Sequence, residues 1–458
     1  MGRLDRFLRR VHARQRHQQS PPVSVTAQSE PKSVFAHFIV GNAAAMTVEQ
    51  WEWDIIEAQR AHIDGFALNI AQQDSYTQDV LDKAYFAAEK LGNFSLFLSF
   101  DYLSGGPWPT DRVVTLINTY KNLPAQFHYK GKPLVSTFEG AGNTGDWAYI
   151  KEATGCIFIP CWTSLGPAGV ASIDAVDGAF SWDAWPTGAE DKDATSDEAW
   201  IKALAGKPYM MPVSPWFYTN LPQWGKNWLW RGDDLWHYRW QQIMDLQPDL
   251  VQIISWNDYG EAHYIGPIRE AGIPDGAARY VDNRSHDAWR ALLPHYINAY
   301  RTKDTVSVNS IPGAVAPMYN PKYPISFEEK ITYWYRLNPS DSGSADGTTG
   351  NNPSMGQTPM APGEISQDRI FVTALVMEPS DVYVQIGENY PTVLQASSAG
   401  INHFSIPFNE QTGSVWLAIV RNGWVAVETV GPAVTEECED GSVNWNAFVG
   451  CSHEYTTW

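Results

Sequence analysis

Long apolar runs are missing from this sequence of 458 residues, and no stretch approaches the roughly 18 residues that cross a membrane as a helix. A membrane span is therefore not expected. Basic residues are also scarce, with 32 Lys and Arg against 51 Asp and Glu and a formal net charge of −19. That balance argues against nucleic acid as a partner, because binding phosphates needs cationic side chains that release counterions. Cysteine is rare as well: Cys156, Cys161, Cys438 and Cys451 cannot staple a chain of this length. Cys156 and Cys161 fall in one expected strand at an odd spacing, which points them to opposite faces. Cys438 and Cys451 bracket a turn-rich tail and could be bridged in an oxidising environment.

The opening 20 residues, MGRLDRFLRRVHARQRHQQS, lack the apolar core of about 7 to 15 residues that a secretory signal carries. Residues 1–32 read as a disordered basic tail, and an intracellular location is favoured over export. What the chain does have is aromatic mass: 21 Trp and 21 Tyr in a composition that is 44% hydrophobic and only 18% charged. Such a chain is globular, is long enough for one large and one smaller domain, and suits a neutral ligand.

Residues 33–303 repeat one plan, a β-rich run followed by a turn and a helical stretch. The runs are VFAHFIV, GFALNI, SLFLSF, PLVSTF, GCIFIP, GAFSWDAW, PYMMPVS and LVQIISW. Helix starts are marked by Thr47 with Gln50 and by Ser75 with Gln78, both matching the capping box. Alternating strands and helices imply a parallel sheet, and eight units in this length predict a (β/α)8 TIM barrel. Beyond residue 303 the pattern changes to Pro-marked alternating segments, predicting a smaller β-sandwich over 304–435. Residues 338–366, poor in apolar side chains, read as a mobile loop within it. Residues 436–458 form a tail expected to pack on the barrel or the sandwich.

Catalytic groups of such a barrel come from the C-terminal ends of its strands, where the loops share one mouth. This rule selects His37 or Asn42, Asn69, Asp101, Glu139, Trp162, Trp182 with Asp183, Ser214 with Trp216, and Asp258 with Glu261. Asp64 precedes its strand and belongs at the opposite face. The last pair lies in SWNDYGEAHYIG, among Trp256, Tyr259, His263 and Tyr264. Two carboxyl groups in unlike surroundings can divide labour, one keeping a proton to donate and the other staying ionised as a base. Glycosidic cleavage needs that division. A structural use competes with it: Asp258 capping a turn that Glu261 completes. Ten Trp between positions 182 and 256 supply flat faces suited to sugars, although about a third are expected to line a groove while the rest fill the core.

Two other motifs are set aside. GAGNTG at 140–145 follows a strand but lacks the acidic residue expected about 20 positions on, so no nucleotide cofactor is expected. Glu261 and His263 have no second His at helical spacing and no Cys or Asp cluster, so no metal is expected either.

The runs AHFIVGN, DGFALNI, FLSFD, PLVSTFEG, GDDLWHYRW and above all SWNDYGEAHYIGP resemble, in order, the fungal α-1,3-glucanases, or mutanases, of glycoside hydrolase family 71. The WYR and RNGWVA segments and the tail CEDGSVNWNAFVGC resemble that family's β-rich companion domain. The resemblance implies hydrolysis of α-1,3-glucan, a fungal wall polymer, with inversion at the anomeric carbon and no cofactor, by a chain expected to be a monomer. It implies Asp258 and Glu261 as the catalytic pair, taken here with Glu261 as general acid and Asp258 as base. Asp101 is the leading auxiliary carboxylate. His37, Asn69, Glu139, Trp182, Asp183, Trp216, Trp256, Tyr259, His263 and Tyr264 are expected around the substrate. Two alternatives remain: an α-glucan-binding protein without turnover, and an α-glucanase of another linkage preference.

Overall fold

The structure, a computed structural model, describes residues 31–303 and 328–453. Residues 1–30 of the expected tail lie outside the described residues. Eight parallel strands carry the first part of the chain: β1 (Ser33–Ile39), β2 (Gly65–Ala71), β3 (Ser95–Asp101), β4 (Lys132–Phe138), β5 (Ile157–Phe158), β6 (Ala179–Phe180), β7 (Tyr209–Val213) and β8 (Leu250–Ile253). A helix follows each of them: α1 (Val48–Arg60), α2 (Thr77–Leu91), α3 (Thr110–Tyr120), α4 (Asp146–Thr154), α5 (Gly166–Ala171), α6 (Thr195–Leu204), α7 (Leu235–Leu246) and α8 (Leu293–Thr302). The result is a mixed α/β fold around a curled parallel sheet, ordered β4-β3-β2-β1-β8-β7-β6 with β5 beside β4. Between β5 and β6, Cys161 makes isolated parallel bridges to Phe138 and to Phe180.

Period-2 alternation sorts the strand side chains into two cores. Val34, Ala36, Phe66, Leu68, Leu96 and Leu98 pack outward with the helices, while Phe35, Ala67, Phe97, Leu134 and Ile159 fill the inside of the curl. His37, Asn69 and Asp101 share the parity of the inner set. Cys156 joins the outer core and Cys161 the inner one, as their odd spacing requires. All four cysteine thiols are free.

The first capping box forms: Thr47 Oγ1 accepts from Gln50 N at 3.3 Å, and Gln50 Oε1 accepts from Thr47 N at 2.9 Å. The second does not. α2 starts at Thr77 after Tyr76, which offers no side-chain cap, and the Thr77 hydroxyl donates to the Asp74 carbonyl at 2.9 Å instead. Run lengths also differ, since GAFSWDAW shortens to the two residues of β6. At the far face Asp64 accepts from Val34 N at 2.7 Å and pairs with Arg301, tying α8 to β1.

The C-terminal part holds two antiparallel sheets. One comprises β9 (Lys330–Tyr335), β11 (Arg369–Val376), β14 (Gly400–Pro407) and β17 (Phe448–Cys451), ordered β14-β11-β9-β17. The other comprises β12 (Ser380–Ile386), β13 (Thr392–Ala396), β15 (Gly413–Arg421) and β16 (Trp424–Val434), ordered β13-β12-β15-β16. Alternation again assigns faces: Ile331, Tyr333 and Tyr335 join the core shared with the second sheet, whereas Trp334 joins the core of the parallel part. Trp334 Nε1 donates to Asp233 O at 2.8 Å, and Trp216 Nε1 donates to Trp445 O at 3.0 Å. Strand β17, from the expected tail, pairs with β9, and residues 454–458 lie outside the described residues.

Residues 338–366, expected to be a mobile loop, are instead tethered. The short strand β10 (Thr349–Gly350) pairs in parallel with Lys226–Leu229, the return strand of a hairpin whose first strand is Tyr218–Leu221. Asn351 N donates to Leu229 O at 2.9 Å, and Asn351 Oδ1 accepts from Gly188 N at 2.8 Å. The segment is polar because its partners are polar backbone groups of the parallel part, which composition cannot register.

Candidate active site

The chain leaves β8 through Ile254 and turns tightly over residues 255–263, so that one short segment brings together Asp258, Glu261 and His263. Ser255 organises it. Its Oγ accepts from Asp258 N at 2.9 Å and lies 2.9 Å from His263 Nδ1, to which its own proton is then available. That leaves His263 Nε2 as the donor, 3.0 Å from Glu261 Oε2 and 3.8 Å from Asp258 Oδ2. Asp258 Oδ1 also accepts from Glu261 N at 3.1 Å. The turn-capping role is therefore real, but it occupies one carboxyl oxygen and leaves Oδ2 facing the site.

Lys226 comes from the hairpin after β7. Its Nζ lies 2.7 Å from Glu261 Oε1, with side-chain exposures of 38% for Lys226, 15% for Glu261 and 17% for Asp258. The two carboxyl groups thus sit in unlike fields. Burial first, and then the Glu261 charge beside it, hold the Asp258 pKa above its ordinary value. Burial would raise Glu261 too, but the Lys226 ammonium and the His263 hydrogen bond outweigh it and keep Glu261 well below the usual carboxylate range. The reciprocal effect raises Lys226, chiefly through Glu261. The two shifts run in opposite directions: the protonated form is favoured at Asp258 and the ionised form at Glu261. The ligating atoms of Asp258, Glu261 and His263 all lie within 4.8 Å of one another, a spacing that could also hold a cation, although Lys226 already supplies positive charge there.

Glu261 opens onto a cleft of about 700 Å³, a size suited to a small-molecule or oligomer site. Its walls are aromatic. Trp182, Trp185, Trp200, Trp228 and Trp230 line it, half of the ten tryptophans between 182 and 256 rather than the third expected. Trp182 packs edge-on to His37 and Phe138, each at 4.8 Å, and Trp185 stacks on His263 at 5.5 Å. Glu139 and Asp183 also reach the wall, Glu139 accepting from Ser164 N at 3.1 Å and Asp183 pairing with Lys192 at 2.8 Å.

Other expected residues lie beneath the cleft. His37 is buried with Nδ1 3.0 Å from Gln252 Nε2, and burial lowers its pKa to about 3, so it is a neutral support. Asn69 hydrogen-bonds Asp101, whose Oδ1 accepts from Leu103 N and Ser104 N, both at 2.8 Å. Burial raises the Asp101 pKa, and Lys226 is close enough to oppose that rise.

Four expected contacts are corrected by burial. Trp256 is in the outer core with Nε1 donating to Asp54 Oδ2 at 2.9 Å, and Tyr259 is buried with its hydroxyl on Pro267 O at 2.8 Å. Tyr264 stacks on His286 at 4.0 Å. Trp216 lies flat against Gly232, where an added Cβ would come within 2.2 Å of the ring. These rings belong to the outer core and do not line the cleft. Of the less favoured candidates, Trp162 and Ser214 are core residues, and Asn42 donates to Asn257 O at 2.9 Å. Lys226 and Ser255 were missed. Ser255 was legible as a hydroxyl three residues before Asp258; Lys226 carries no local signal, since its partner is 35 residues away.

Comparisons with known proteins find relatives along most of the chain. A mutanase from Penicillium rubens is 36% identical over 435 residues, covering 93% of this chain and 90% of that one. A glucan endo-1,3-alpha-glucosidase from Schizosaccharomyces pombe is 35% identical over 437 residues, covering 92% and 94%. An ascus wall endo-1,3-alpha-glucanase from the same yeast is 31% identical over 304 residues, covering 62% and 69%. The model of glycosyl hydrolase family 71 matches residues 30–457, and the chain belongs to that family.

Proposed function

We propose that this chain hydrolyses α-1,3-glucosidic bonds of fungal wall glucan, with Asp258 and Glu261 as the reacting carboxyl pair. One observation carries the reading: Glu261 lines a tryptophan-walled cleft with Asp258 directly behind it, hydrogen-bonded to its backbone N–H and shifted oppositely in proton affinity, in a chain whose relatives are named for this hydrolysis. Asp258 protonates the departing glycosidic oxygen. Glu261, anionic beside Lys226, draws the proton from the attacking water or meets the anomeric carbon. These roles reverse those assigned from the resemblance, because the Lys226 charge favours the ionised form of Glu261 and not of a donor. His263 holds Glu261 in place, and Asp101 with Asn69 shapes the adjoining loop.

Inversion is what the family resemblance implies, and an inverting pair is usually about 6.5 to 9.5 Å apart to admit water. One oxygen each of Asp258 and Glu261 lie within 4.8 Å of one another, so inversion by this pair requires the carboxyl groups to part and admit a water as the sugar enters. We further read the curled sheet as a (β/α)8 barrel over residues 33–303, with Cys161 joining β4 to β6, and the two C-terminal sheets as a β-sandwich, described from residue 328 of the expected 304–435 and completed by β17 of the tail. The chain acts as a monomer in this reading. Incubation with insoluble α-1,3-glucan, with α-1,4- and β-1,3-glucans in parallel, tests it by reducing-sugar release. Release from α-1,3-glucan that is lost in Glu261→Gln is expected; co-sedimentation with the polymer and no released sugar would leave only a binding role.

A further inference from the structure

The wall of the cleft is not made by the parallel part alone. Met355 and Gln357, from the segment after β10, line the same cavity as Glu261, Trp228 and Trp230. Their position is fixed by the pairing of Thr349 with Trp228 and of Gly350 with Leu229, and by Asn351 Nδ2 donating to Thr358 O at 2.9 Å. Gln357 Oε1 accepts twice, from Trp230 Nε1 and from Asn352 N, both at 2.8 Å. With the oxygen used, its Nε2 has no partner among the described residues and is a donor left over at the cleft wall. Met355 is 66% exposed, a large flexible apolar side chain presented beside two tryptophans. Exposed apolar surface of this kind, next to an unspent donor, is what a sugar ring with an apolar face and hydroxyl edge requires.

We propose that Met355 and Gln357 form a distal sugar subsite, contributed by the C-terminal part, that engages an α-1,3-glucan chain beyond the unit undergoing cleavage. The inference rests on the proposed hydrolysis and extends it to chain-length selectivity. Gln357 Nε2 donates to a sugar hydroxyl while Met355 covers the ring face.

The test uses the full chain and the variants Gln357→Ala and Met355→Ala, assayed on short and long α-1,3-linked gluco-oligosaccharides, with binding of the long ones followed by tryptophan fluorescence. The ratio of kcat/KM for long over short substrates is expected to fall about three- to tenfold in each variant, the scale of one lost hydrogen bond or apolar contact. Binding of the long oligosaccharide should weaken by a similar factor. If wild-type protein cleaves the oligosaccharides but both variants keep its ratio and its long-chain binding, the subsite is refuted while the hydrolase reading stands. If wild-type protein neither cleaves nor binds them, both readings fall. Since Met355 projects outward, its replacement reports even where Gln357→Ala disturbs the Trp230 contact.

Discussion

Replacing Lys226 by Met removes the charge that keeps Glu261 ionised while preserving most of the aliphatic stem. The Nζ to Oε1 distance is 2.7 Å. Unit charges about 4 Å apart interact by roughly 4 kcal/mol at an effective dielectric of about 20, and the partial exposure of Lys226 reduces that figure. Empirically an adjacent cation lowers a carboxyl pKa by about one to three units, each worth about 1.4 kcal/mol, so the two estimates overlap. The sign follows from the proposed role. Glu261 must be ionised to act, its pKa is depressed by Lys226, and losing the lysine lets it climb. The acid limb of kcat/KM against pH, which reports groups of the free enzyme, should therefore move upward by about one to three pH units in Lys226→Met. An unmoved acid limb would refute the claim that Lys226 sets the charge of Glu261. Because Lys226 also lowers the Asp258 pKa, the alkaline limb should rise as well; a shift confined to the alkaline limb would refute the assignment of Glu261 as the base.

Asp258→Asn and Glu261→Gln should each lower kcat by at least about 100-fold, the lower range for a positioned acid or base; near-normal turnover in either would remove that residue from the reaction. Proton NMR of freshly released product should show the β anomer if the pair parts to admit water, and the α anomer if the carboxyl groups stay as close as they are here. Arg239→Ala should cost about 3 to 5 kcal/mol in denaturant unfolding, because it strands Asp197, whose carboxylate lies 2.7 Å from Arg239 Nη1 with side-chain exposures of 0% and 1%; a loss below about 1 kcal/mol would show that water or another cation reaches Asp197.

Much of the parallel part was readable before the structure. β-rich runs marked all eight strands, and the rule that active groups sit at strand C-terminal ends selected His37, Asn69 and Asp101, which the structure then places at the parity of the inner set. Strand extent was less readable: in GAFSWDAW only Ala179–Phe180 meets a neighbour, since pairing depends on the adjacent strand rather than on propensity. Ser75 and Gln78 show the same limit for helices, as the start moved when the Thr77 hydroxyl found a carbonyl.

For the site, the sequence by itself determined that Asp258, Glu261 and His263 stand together, because a turn three to five residues long leaves their side chains few places to go. It also determined that aromatic surface would surround them. Tertiary structure alone decided which tryptophans line the cleft and which are sealed beneath it, since burial depends on what packs from elsewhere. It likewise brought Lys226 to Glu261 and Gln357 to Trp230 across 35 and 127 residues. The proton affinities follow from those distant partners: charge and solvent access act through space, and a residue's neighbours in the chain do not specify either.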